Sequence, residues 1–366
     1  MALTKVDPTV VDDQIIGRKN IIINGDMKVH QRGTSATTLS TTSEIFRADR
    51  FRVEQGTVTG NNGTTEVSTD VPSGQGFTKS LKVTGGSSVS YGTNGFTAIN
   101  YRGEGQDFSQ VLHGTSSAKT VTISFWVKSS VTGTYSLNHT KYDGSTERFN
   151  VSEYTISQAN TWEYKKVNVV GDTSVAASDW IRLYWQLGGD SGHKTATAGT
   201  WINGDATKRA TSNQPDMITT NGATFFLTGV QFEVGDTATP FEFINLGEQT
   251  EQCRRYFQYH EFPDSAAVMN GCMWLSTSMY GAYHFYPKMR AEPTTTISAG
   301  ATFDVLSPSG QTGTSPTSAI AQNHSNQSVE IYLLNNSGLG TQGDGVWVRS
   351  DTYSGAVATF TFDAEL

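Results

Sequence analysis

Cysteine is almost missing from this chain: Cys253 and Cys272 are the only two in 366 residues. They form no C-x-x-C pair and can close at most one bridge. That excludes a disulfide framework and leaves two reduced thiols as the expectation for a protein made in a cytoplasm. Charge is scarce too. Charged residues make up 16% of the chain and hydrophobic residues 36%, while 37 glycines accompany abundant Thr and Ser. Such a composition suits many short strands and turns rather than amphipathic helices. A net charge of -8 leaves no surplus of Lys and Arg to neutralise phosphates. Sequence-independent nucleic-acid binding is therefore not expected. No apolar run approaches the roughly 18 residues of a membrane span. The opening MALTKVDPTVVDDQIIG has no basic start followed by an apolar core, so export by a Sec signal is not expected. Asn-x-Ser/Thr triplets such as Asn62-Gly63-Thr64 and Asn150-Val151-Ser152 read as background.

Cofactor and catalytic signatures are missing as well. Gly338-Leu339-Gly340-Thr341-Gln342-Gly343 matches G-x-G-x-x-G but leads into a strand pattern, Asp344 to Val348. Pyrophosphate binding needs a helix N-terminus there, so the match reads as a hairpin loop. Neither G-x-x-x-x-G-K-[ST] nor G-x-S-x-G occurs. The seven histidines include no H-x-H or H-x-x-x-H pair, so each reads as a strand or loop residue rather than a metal ligand. Glycoside cleavage needs two carboxylates roughly 5–10 Å apart. Glu104 with Asp107, and Glu147 with Glu153, are the pairs that approach this spacing, and each reads as solvated surface. No enzyme is expected.

What the chain does hold is β pattern, and Gly222 to Phe243 (GATFFLTGVQFEVGDTATPFEF) organises it. Phe225, Leu227, Val230 and Phe232 are the large apolar positions. Their period slips by one across Thr228-Gly229, where a bulge would re-aim the strand. Gly235 and Asp236 end it, and Pro240 begins an exit that cannot continue a ladder. Before it come Asn20 to Ile23, Met27 to Gln31, Asp49 to Val53, Ser80 to Val83, Thr120 to Lys128 and Gly133 to Thr140. Glu147 to Thr155, Trp162 to Val170 and Trp180 to Leu187 follow. About ten short alternating strands predict a two-sheet antiparallel jelly roll. Tyr142-Asp143-Gly144-Ser145 suggests a hairpin with a type I′ turn.

After Asn245 the pattern changes. Glu248 to Tyr259 is predicted helical, with Glu and Gln early and Arg254 and Arg255 late. Short strands follow: Cys272 to Ser276, Ala282 to Tyr286, Thr294 to Ser298, Ser328 to Leu334, Val346 to Arg349 and Ala356 to Phe362. Ser307 to Ser318 and Asn335 to Gly345 read as loops. The predicted organisation is an arm at 1–19, a jelly-roll β-sandwich at 20–245 and a small β domain at 246–366. The arm, with Pro8 and scattered valines, suits docking on a partner rather than burial in the chain's own core. It is expected to be needed for assembly and not for folding.

If Ile181, Leu183, Trp185 and Leu187 face the core, Trp180, Arg182, Tyr184 and Gln186 share the opposite face. Trp126 and Lys128 lie on the open face of their own strand. A sugar needs an aromatic surface with polar neighbours, and Trp126, Arg182 and Tyr184 form the candidate glycan-binding patch. The same residues equally suit packing under loops or against a neighbouring subunit.

The ordered segments NIIINGDMKVHQRG, RADRFRV, SLKVTG, TVTISFWVKSS, TWEYKKVNV, IRLYWQLG and FFLTGVQFEVGDTATPFE resemble two related things. One is the jelly-roll carbohydrate-binding module. The other is a tailed-phage virion protein family, common in fibre and surface proteins, that carries this module and continues into a helix like EQCRRYFQ and a β domain ending near DAEL. The resemblance covers about residues 20 to 366. It implies a non-enzymatic virion component (tail fibre, spike or head-surface fibre), homotrimeric, attached through residues 1–19 and directed at host-surface polysaccharide. Modules of this type often place a calcium-ligating Asp in the closing strand, where Thr228-Gly229-Val230 offers no carboxylate. Asp26, Asp49 or Glu233 could still supply oxygens, but no cofactor is expected. The competing readings are a polysaccharide depolymerase and a sugar-binding module of a bacterial enzyme.

Overall fold

The structure is a computed structural model that describes residues 18–40, 44–60, 63–299, 302–308, 310–351 and 357–366. The predicted arm, 1–19, therefore lies outside the described residues except at its end. There the Arg18 guanidinium pairs with Glu248, and the Lys19 and Asn20 amides donate to Glu242 Oε2 at 3.0 and 2.8 Å. The chain divides into two compact units between Gln249 and Thr250.

The first unit is an all-β sandwich of the jelly-roll kind. Its strands are β1 (Thr37–Thr38), β2 (Glu44–Phe46), β3 (Phe51–Thr59), β4 (Thr64–Ser68), β5 (Ser80–Thr84), β6 (Ser90–Glu104) and β7 (Val121–Ser129). Then come β8 (Gly133–Tyr142), β9 (Glu147–Ile156), β10 (Glu163–Val169), β11 (Trp180–Gly189), β12 (Trp201–Asn203) and β13 (Thr224–Val234). They make two antiparallel sheets, in the orders β1-β4-β5-β13-β7-β10 and β12-β9-β8-β11-β6-β3-β2.

Alternation decides which side chains the two sheets share. Val121, Ile123, Phe125 and Val127 of β7 meet Phe51 and Val53 of β3, Ile99 and Tyr101 of β6, and Leu183 and Trp185 of β11 in one core. Each such burial contributes about 1.5–3 kcal/mol. Phe125 and Trp185 join the sheets edge to face at 5.7 Å. In β13 the register with β7 breaks between Thr228 and Gln231, and Gly229 sits at φ +62°. That bulge keeps Phe225 and Leu227 on the same inner face as Val230 and Phe232, which strict alternation would have turned outward.

Four sequence expectations change in this unit. Neither Asn20 to Ile23 nor Met27 to Gln31 is a strand; the first is a turn-bearing segment clipped to β13, through Ile21 N to Phe232 O at 3.2 Å and Asn20 Nδ2 to Val230 O at 3.1 Å. The β8–β9 hairpin closes through four residues, Asp143 to Thr146, of which Gly144 alone has positive φ. Asp143 Oδ1 accepts from the Ser145 and Thr146 amides at 2.8 and 2.7 Å, so an Asx turn replaces the expected type I′ turn. The longest strand, β6, is not marked by the sequence pattern, because its first half, Ser-Tyr-Gly-Thr-Asn-Gly, is turn-like in composition.

The division between units falls within α1 (Leu246–Arg254). The second unit adds β14 (Phe257–Phe262), β15 (Ala267–Leu275), β16 (Ser278–His284), β17 (Thr294–Ile297) and β18 (Phe303–Ser307). It continues with β19 (Gly310–Thr314), β20 (Ser318–Gln322), β21 (Ser328–Leu334), β22 (Gly345–Ser350) and β23 (Ala358–Asp363). A three-stranded sheet, β14-β23-β17, and a seven-stranded one, β19-β18-β22-β15-β16-β21-β20, share a core rich in Met and Phe.

The predicted helix is cut short here. Phe257 to Phe262 pairs residue by residue with β23, and buried Phe257 secures it, so the ladder overrides the helical propensity of the preceding turns. The stretch read as a loop, Ser307 to Ser318, contains β19. The G-x-G-x-x-G stretch joins β21 to β22, which are not neighbours in the sheet, so it is a crossing loop rather than a hairpin. Cys253 is buried, Cys272 exposed, and neither is in a disulfide.

Candidate functional site

The structure separates the three residues expected to form one patch. Trp126 points outward from β7 in the six-stranded sheet, where its ring lies 5.5 Å from Tyr164. Arg182 and Tyr184 point outward from β11 in the seven-stranded sheet. Two outer faces of a sandwich look in opposite directions, so Trp126 cannot share a ligand with the other two.

Around Arg182 and Tyr184 the strands build a polar face of their own. Apolar β3, β6 and β11 residues alternate into the core, which leaves Arg52 and Glu54, Asn100 and Arg102, and Trp180, Arg182 and Tyr184 on the outside. The register sets Arg182 opposite Arg102, and Tyr184 opposite Asn100, which in turn faces Arg52. Both Arg102 and Arg182 lie over the Trp180 indole, with guanidinium carbons 4.7 and 4.2 Å from the ring centroid. Tyr142 stacks on that indole at 5.1 Å. Arg182 Nη1 donates to the Tyr184 hydroxyl at 2.9 Å.

The charges are unevenly matched. Arg52 is buried between two carboxylates, Glu44 at 2.8 Å and Glu54 at 3.2 Å, and Glu54 also accepts from Asn100 at 3.1 Å. Arg102 and Arg182 make no ion pair among the described residues. Burial, then the neighbouring Arg182 and Arg52 guanidiniums, lower Arg102 to about 10 from the ordinary 12.5. Several polar atoms beneath have no protein partner: Asn100 Oδ1, Gln186 Oε1 and Nε2, and the Nε atoms of Arg102 and Arg182.

One end of the face is closed. The stretch from Asp190 to Asp216 folds over it, with Arg209 about equally placed on Phe96, Phe149 and Tyr184, 5.4, 5.4 and 5.5 Å from their rings. His193 stacks on Phe96 at 5.0 Å, and Gln214 donates to Gln186 O at 3.0 Å. Tyr184 is therefore buried, while Arg102 and Arg182 stay half-buried at the open end. The residues not foreseen are Arg102, Asn100, Arg52 and Glu54. The alternation of Ala98-Ile99-Asn100-Tyr101-Arg102 carried the signal for the first two.

The other candidates resolve differently. Glu147 and Glu153 are six residues apart on one strand, about 20 Å, too far for a carboxylate pair. Asp26 is held by Lys28 at 2.9 Å and Gln249 at 2.7 Å, Asp49 by Gln31 at 2.6 Å, and Glu233 by Thr239. Among the described residues no group of three His, Cys, Asp or Glu is arranged to hold a metal.

A second polar cluster lies inside the sandwich, where β8 continues its inward row from Leu137 to His139 and Lys141. Lys141 pairs with Asp172 at 3.0 Å, Arg148 pairs with the same carboxylate at 2.7 Å, and His113 Nδ1 accepts from the Asp172 amide at 3.2 Å. Both ring nitrogens of His139 lack a protein partner.

No protein-family model matches the chain, and no curated protein matches its sequence. Among solved structures it is similar to the enzymatically active domain of bacteriophage CBA120 tailspike protein 4, at 11% identity over 54% of this chain and 21% of that one, TM-score 0.31. It is also similar to the CBM22-1–GH10 modules of Clostridium thermocellum xylanase 10B, at 12% identity over 60% and 29%, TM-score 0.32. The CBM22-2 xylan-binding domain of Paenibacillus barcinonensis Xyn10C gives 14% identity over 55% and 99%, TM-score 0.29. The chain spans less than a third of the first two. At TM-scores near 0.3 these likenesses decide nothing about function.

Proposed function

We propose that the chain is a non-enzymatic surface component of a tailed-phage particle whose jelly-roll unit binds saccharide on the outer face of its seven-stranded sheet. In this reading it is a tail fibre, spike or head-surface fibre, homotrimeric, joined to other virion proteins through residues 1–19, and made in the host cytoplasm. The run of segments from Asn20 to Leu366 that resembles virion surface proteins supports the particle role.

The observation that carries saccharide binding is the pair of half-exposed planar side chains, Arg102 and Arg182, with Glu54 beside them, fixed on three neighbouring strands over buried Asn100 and Arg52. Sugar hydroxyls need donors and acceptors in fixed positions, and side chains on paired strands supply them with little ordering entropy left to lose. Three copies would convert a weak contact into avidity.

Affinity electrophoresis of the full chain through host-surface polysaccharides, with reducing ends measured in parallel, tests this. Retardation without release of reducing ends is expected. No retardation by any polymer, or steady release of reducing ends, would overturn it.

A further inference from the structure

We propose that the saccharide held on this face is acidic, and that Arg102 and Arg182 receive a carboxylate or sulfate substituent carried on its ring. This rests on the reading of the face as a saccharide site. Two guanidiniums stand opposite one another in adjacent strands, an arrangement that is repulsive unless an anion joins them. The protein supplies that anion for Arg52, through Glu44 and Glu54, but not for its two neighbours. Asp179 acts on Arg102, and Glu54 and Glu147 act on Arg182, through space only; none of them reaches ion-pair distance of these two arginines.

The indole beneath holds both planar groups ready for an oxyanion, which arginine binds through paired N–H donors. Neutral sugars are instead held by a bare aromatic face, and here that face is not available. Trp180 is 6% exposed, with its ring covered by the guanidiniums and by Tyr142. A cationic pair in a chain of net charge -8 also runs against the bulk field, so acidic polymers would gain contact here and little elsewhere.

The test uses the full chain with four probes: polygalacturonate, the same polymer after reduction of its carboxyls, dextran sulfate and dextran. Expected is retention of an anionic polymer at least tenfold tighter than its neutral counterpart. Polygalacturonate would assign a carboxylate, and dextran sulfate alone a sulfate; either supports the proposal. Arg102→Gln and Arg182→Gln should each lose about tenfold, with Arg102→Lys falling between. Lys166→Gln, exposed on the opposite sheet, should lose nothing. Equal binding of the neutral polymers would overturn the acidic assignment while leaving a saccharide site. An equal loss in Lys166→Gln would show diffuse charge attraction and also overturn it. Binding of none of the four polymers, nor of any host polysaccharide, would remove the underlying reading.

Discussion

Arg102 and Arg182 face each other across the β6–β11 ladder, and one indole, Trp180, lies under both guanidiniums. Like charges set opposite in a sheet are destabilising by up to about 1 kcal/mol, and a cation over an indole returns a similar amount. Arg102→Gln should therefore change unfolding free energy by less than about 1 kcal/mol. Urea unfolding measures it. A clearly larger loss would mean that this arginine is kept for the fold.

Gly229 should not tolerate a side chain. Its φ is +62°, and a Cβ there would sit 2.6 Å from Phe77 Cζ and 3.1 Å from Trp126 Cδ1. Left-handed strain alone is worth about 1–2 kcal/mol in a residue with a Cβ. Gly229→Ala should lower stability by at least that amount in denaturant titration. An unchanged midpoint would mean the bulge does not set the register of β13.

Acid should weaken the first unit in a window that histidines set. Burial, then Lys141, lowers His113 to about 4, while burial, His113 and Lys141 hold His139 well below its ordinary value. Burial and Arg209 lower His193 to about 3. With folded values below unfolded ones, the unfolded chain takes up protons first. Stability is then full above about pH 6.5 and is lost progressively as the pH falls from there toward 4 and below. Asp172 adds to the loss only at lower pH. Burial opposes its ionisation, but hydrogen bonds from Ser174 and Lys141 outweigh that and hold it below the usual carboxylate range. His139→Leu should leave stability at pH 7 equal or higher, because two unpartnered nitrogens leave the core. It should also flatten the slope between pH 6.5 and 5 in unfolding titrations. An unchanged slope would rule His139 out as a source.

Alternation along β11 put Arg182 and Tyr184 on one outer face from sequence alone, because Ile181, Leu183, Trp185 and Leu187 must go inward. The slip at Thr228-Gly229 was legible for the same reason. Trp126 shows what alternation leaves open: it separates inside from outside but does not say which sheet a strand joins. That depends on pairing between β7, β10 and β13, residues distant in sequence. Arg102 was hidden because β6 begins in turn-forming residues, although its second half alternates cleanly. Phe257 to Tyr259 continue the helical pattern of the residues before them, and the strand that pairs with them lies about a hundred residues further along the chain.

Three chains are expected in solution. Light scattering of the full chain should give about three times the 39.6 kDa of one copy. A stable monomer at micromolar concentration would contradict the homotrimer and the avidity argued from it.

Hydrogen exchange of the full chain with saturating anionic polysaccharide tests the central claim most directly. Protection is expected in peptides from β6 and β11 around Asn100–Arg102 and Trp180–Tyr184, with the strands of the other sheet unchanged. Protection confined to β7 and β10 around Trp126 and Tyr164, or to the second unit, would contradict it.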